Sequence, residues 1–121
     1  MPLPLIAAMI VNLLVLIPVL LFAARGQRAD AVFGPDTPAR RILFSMYAAI
    51  AGVSAGLLAL AALQSMPALA PATIAIMCLQ IVYKSLTLPW LGLSHPVAAT
   101  NLAVTLFHAL ALGAWAMGIG A

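Results

Sequence analysis

Four stretches of the chain, residues 3–24, 38–64, 72–91 and 96–118, remain apolar over lengths of about twenty residues or more. A helix of that length crosses the roughly 30 Å hydrocarbon layer of a bilayer. In lipid the backbone must satisfy its own polar groups, which a helix does within one segment. The sequence therefore predicts an all-α membrane protein: a four-transmembrane-helix bundle, up-down-up-down, with short loops, the whole chain 1–121 forming one domain. Composition agrees, because the chain is 66% apolar and 6% charged and contains no glutamate. Soluble domains are about a quarter charged, and so few charges cannot cover the surface of a water-soluble fold this small.

The charge that exists is concentrated. Arg25, Arg28, Arg40 and Arg41 cluster around the charged loop 25–37, which also carries Asp30 and Asp36, and the only other basic side chain besides histidine is Lys84. Placed beside anionic headgroups, these arginines read as topology determinants rather than as a nucleic-acid surface, so no nucleic-acid partner is expected. The positive-inside bias puts the loop 25–41 in the cytoplasm and both termini in the periplasm of a bacterial-type inner membrane. The first apolar run has no basic residue before it and exceeds a leader's apolar core, so it reads as a retained span.

Local signals set the helix ends. Phe33-Gly34-Pro35-Asp36 is a turn, and Thr37-Pro38 opens a helix with a hydroxyl cap and a first-turn proline. Pro18 is expected to kink the first helix. Pro71 is expected to open the third, Pro89 to bend or end it, and Ser94-His95-Pro96 to form the next turn. Trp90 and Trp115 suit the two interfaces. Cys78 reads as a small buried hydrophobe. Ala48, Gly52 and Gly56 recur every four residues and form a smooth helix-packing face, for another helix of this chain or of a partner.

Ionisable side chains inside a span are costly and mark functional sites. Lys84 and His108 are the two candidates. Gln80, Lys84 and Thr87 share one helix face, as do Asn101, Thr105 and His108. Counted outward from a turn near His95-Pro96, Lys84 falls level with His108, and Thr87 with Thr105. Asn12 and Ser54 reach similar depth on the first two helices. Together the eight define a candidate intramembrane polar site suited to a proton relay, an ion path or a quinone headgroup. The plainer expectation is that Lys84 snorkels to the headgroups while His108, Asn12 and Ser54 act as interhelical hydrogen-bonding glue.

Several chemistries lack their residues. Only one histidine lies well inside a span, against the two axial ligands a membrane haem generally takes. Clustered zinc ligands, a Ser–His–Asp set within the spans and a glycine-rich phosphate loop are also missing from the sequence. No enzyme, metal or cofactor is expected, although a quinone or other lipid-soluble ligand suits the polar site. The leading expectation is a small polytopic inner-membrane protein that serves as a non-catalytic accessory or assembly subunit of a larger membrane complex. The alternative is a small oligomeric carrier or channel built around Lys84 and His108. The expected partners are the lipid bilayer and either other membrane subunits or further copies of the chain.

Overall fold

A computed structural model describes residues 1–23, 27–63 and 67–120. Arg25 and the helix ends expected at Ala24 and Gln64 lie outside the described residues. The elements are α1 (Leu3–Ala23), α2 (Gln27–Phe33), α3 (Pro38–Leu63), α4 (Leu69–Leu91) and α5 (Pro96–Ala116), with no strand among the described residues. All but α2 are long and apolar enough to cross a membrane.

The helix boundaries follow from the local signals, with three departures from expectation. At the start of α3 the Thr37 hydroxyl accepts from the Arg40 backbone N–H at 3.3 Å, as the Thr-Pro signal requires. At the start of α5 the His95 side chain is the cap, accepting from the Val97 N–H, with Pro96 in the first turn. The first departure is α4, which begins at Leu69 rather than 72. Pro71 occupies its third position, where a missing N–H breaks no helical bond. The helix then continues through Pro89 to Leu91 and stops where Gly92 adopts φ +76°, a conformation that strongly favours glycine. The second departure is α5, which ends at Ala116, short of 118, because Gly118 turns left-handed there.

The third departure is α2 itself, a helix inside the segment read as a loop. Its anchor is Arg40, which is buried. The Arg40 guanidinium pairs with Asp30 of α2 and donates to the Gly34 carbonyl at 2.7 Å. It also lies over the Phe44 ring, which packs edge-on against Phe33. Arg40 is thus not a free headgroup contact but the staple that holds α2 to α3. Arg41 bonds the exposed Asp36 through both carboxylate oxygens, at 3.0 and 2.9 Å, and this hydrogen bonding lowers the Asp36 carboxyl below its ordinary range. Arg28 is exposed.

Two apolar clusters form the interior. Near the start of α1, Leu5, Ala8 and Met9 pack with Leu57 of α3, Leu69 and Met77 of α4 and Ala111 of α5. Further along, Leu16 packs with Tyr47 and Ala51 of α3, and Tyr83 of α4 leans on that group. The chain ends close on each other, where the Leu3 N–H donates to the Gly120 carbonyl at 3.0 Å. A side chain at Gly120 would press on Leu3 and Pro4.

The small-residue face is turned outward. On α3 the buried positions are Arg40, Tyr47, Ala51, Ser54 and Leu57, about 100° around the helix from Ala48, Gly52 and Gly56. A Cβ at Gly52 or Gly56 would meet no atom within 4 Å. That excludes a helix of this chain as the partner of the face, because bulkier inward positions take the contact with α1. Cys78 also departs from expectation. It is exposed, one position beyond the inward-facing Met77.

A candidate polar site inside the helix bundle

Between the two apolar clusters every long helix contributes buried polar groups. Asn12 of α1 follows Met9 and precedes Leu16 along the inner face, while Ser54 of α3 falls between Ala51 and Leu57. Their side chains meet, with Asn12 Nδ2 donating to Ser54 Oγ at 3.0 Å. Gln80 of α4 and Thr105 and His108 of α5 lie in the same interval, all buried. The three-and-four spacing read from the sequence therefore does mark inward faces, since inward-facing residues on these helices recur at that period.

Lys84 is the largest fully buried side chain, only 2% exposed. It does not snorkel. What holds it inside is an acceptor on the neighbouring helix α5, nearer than any headgroup. Its ammonium donates to Asn101 Oδ1 at 3.3 Å, Asn101 Nδ2 donates to Thr87 Oγ1 at 3.0 Å, and Thr87 Oγ1 donates to the Lys84 carbonyl at 2.6 Å. The three side chains form a ring of donors and acceptors that returns to its own helix. An ammonium has no acceptor capacity, which fixes the Asn101 amide with its oxygen toward Lys84.

The contacts correct the expected register. Thr87 meets Asn101 rather than falling level with Thr105. The chain turns between Leu91 and Pro96, earlier than the turn centred at His95-Pro96 that the sequence predicts. Counted from the observed turn, Gln80 rather than Lys84 comes level with His108. Lys84 stands one turn, about 6 Å, nearer the connection.

At the Lys84 end the ammonium has one hydrogen-bond acceptor and the buried Tyr83 hydroxyl beside it has no partner among the described residues, while at the His108 end bonding is sparser still. Among the described residues, both side-chain polar atoms of Gln80, the Thr105 hydroxyl and both His108 ring nitrogens are buried without a hydrogen-bond partner. The imidazole faces the α1 backbone at Ala8 without forming a bond of acceptable geometry. Buried polar groups in proteins are overwhelmingly paired, so a row of five orphan atoms on two facing helices is a specific feature.

A cavity of about 110 Å³ adjoins Lys84 and Asn101 on the α2 side, with Tyr47, Leu16, Phe33 and Val97 among its walls. Sequence reasoning missed Tyr47, Tyr83 and the α2 contribution. Tyr47 was within reach, because Arg40, Tyr47 and Ser54 recur every seven residues on α3. Among the described residues no group of three or more metal-ligating side chains forms. No protein-family model, curated protein or solved structure matches this chain.

Proposed function

We propose that the chain is a small multi-pass inner-membrane carrier or channel that moves protons, or a small polar solute coupled to them, through the site containing Lys84 and His108. Its helices would alternate up and down across the bilayer, with the loop 25–41 cytoplasmic and both termini periplasmic. The observation that carries the reading is the row of unpartnered polar atoms on Gln80, Thr105 and His108, continuous with the buried Lys84 and enclosed by apolar layers. A subunit that only packs has no use for such a row, because each unpaired polar group costs free energy in an apolar interior. A working polar path does use one. No enzymatic reaction is assigned, and Lys84 and His108 serve as proton-exchanging groups without a bound cofactor.

Two measurements bear on this. A reporter fused after Ala121 should be active only in the format that works outside the cytoplasm, since four arginines flank the opposite loop. Activity in the cytoplasmic format would reverse the orientation. In a Cys78→Ala background, Thr105→Cys should react with a small water-soluble thiol reagent, and Met77→Cys, in the apolar layer, should not. If both are equally inert, the polar row is dry packing and the carrier reading fails.

The second reading, an accessory subunit of a larger membrane complex, draws on one observation of its own. The Ala48/Gly52/Gly56 face is outward and unobstructed. Gly52→Leu should not lower the thermal stability of the isolated chain, because a Cβ there meets no atom within 4 Å and leucine is a better helix former than glycine. The same substitution should weaken association with a partner or second copy if the face is an interface. Destabilisation of the isolated chain would contradict the observed packing of α3.

A further inference from the structure

Lys84 is a buried cation without an anion of its own. The chain has only two acidic side chains, Asp30 and Asp36, and both are held by arginines, Asp30 by Arg40 and Asp36 by Arg41. Asn101 supplies the ammonium with one neutral acceptor, leaving the charge itself uncompensated by any side-chain carboxylate. A charge taken out of water without a counter-charge is strongly destabilising, and a bound anion supplies the missing partner.

The space for an anion lies beside it. Lys84, Asn101 and Tyr47 bring polar groups to the 110 Å³ cavity, Thr100 at its rim spends its hydroxyl proton on the Pro96 carbonyl, and Leu16 and Phe33 belong to the apolar wall. The cavity is well above the minimum needed to hold a single water and has room for a small ligand. One cation, the Asn101 amide and the Tyr47 hydroxyl beside an apolar wall match a single carboxylate on a short hydrocarbon body. They do not match a multiply charged phosphate, which would need more donors or cations. The α2 helix, pinned by Arg40, supplies Phe33 and Val32 to the side facing the arginine-rich loop.

We propose that this cavity binds a monocarboxylate, its carboxylate on the Lys84 ammonium and its hydrocarbon body among Leu16, Val19 and Phe33. The proposal rests on the carrier reading and names the class of solute that moves with the proton. The carboxylate has two sources, a water-soluble short-chain acid or a fatty acid delivered from the bilayer, and the same groups would recognise either.

The full chain in lipid nanodiscs tests this by ligand-observed saturation-transfer NMR with propionate, and with propionamide as the neutral control. Propionate should give a saturable signal and propionamide none. Oleate should displace propionate if the site also takes lipid-borne acids, and failure to displace it assigns the site to water-soluble acids. Lys84→Met should weaken propionate binding by about tenfold or more, and Lys84→Arg should retain part of it. Val97→Trp, which fills the cavity and leaves Lys84 in place, should abolish the signal and stands in if Lys84→Met does not fold. Equal binding of propionate and propionamide, no binding of either, or undiminished binding by Val97→Trp would overturn the proposal. Proton flux without propionate binding ends this proposal and leaves the carrier reading standing. Binding without flux does the reverse.

Discussion

Ser54→Leu is expected to destabilise the bundle by about 2–5 kcal/mol, the largest structural effect of any single substitution considered for this chain. Ser54 is fully buried, so added side-chain volume has nowhere to go without moving α1 or α3. The same change removes the acceptor of the Asn12 amide and leaves a buried donor unpaired. Overpacking and the lost hydrogen bond act in the same direction. Ser54→Ala separates them. It keeps the space and loses only the bond, so it should cost about 1–2 kcal/mol. Thermal or denaturant unfolding in mild detergent measures both. A leucine variant as stable as wild type would mean that α1 and α3 do not approach each other at Asn12 and Ser54.

The helices are legible in the sequence because long apolar runs leave few alternatives. Runs of about twenty apolar residues can satisfy their backbones only as helices, and the proline and threonine signals mark their starts. The inward faces are legible for the same reason. In an apolar chain the rare polar residues stand out, and Asn12, Ser54, Gln80, Lys84, Asn101, Thr105 and His108 all turn inward.

Three features were not legible, each for a physical reason. Arg40 looks like its neighbour Arg41 in the sequence, but the two lie about 100° apart around α3, so one is buried on Asp30 and the other stays in solvent. The glycine stripe of α3 has the spacing of a contact face, yet spacing alone does not say which side of a helix meets its neighbours. Tyr47 and Ser54 take that side instead. The depth of Lys84 relative to His108 depends on where the chain turns. Gly92 ends α4 and His95 caps α5, which puts the turn nearer α4 than a count from Pro96 implies.

The fate of Lys84 is hidden in the sequence for a related reason. An ammonium near the end of a helix reaches the headgroups only if its side chain points that way and nothing nearer accepts its protons. Asn101 lies one helix away with its amide oxygen in reach, and Thr87 holds that amide in place. The pairing joins residues on two helices, so the sequence pattern of α4 alone does not contain it.

Replacing Lys84 should have the largest functional effect. It is the deeply buried cation of the site, and Met matches its length while removing the exchangeable protons and the charge. Asn101 would keep its bond to Thr87, so part of the local structure survives the change. Proton flux into dye-loaded proteoliposomes, driven by a potassium diffusion potential, measures the consequence directly. The purified wild-type chain should acidify the vesicle lumen faster than protein-free liposomes do, and Lys84→Met should slow that acidification by about tenfold or more in correctly folded protein. Flux by the Lys84→Met protein equal to wild type, or a wild-type protein no faster than protein-free liposomes, would contradict a working proton path through the bundle.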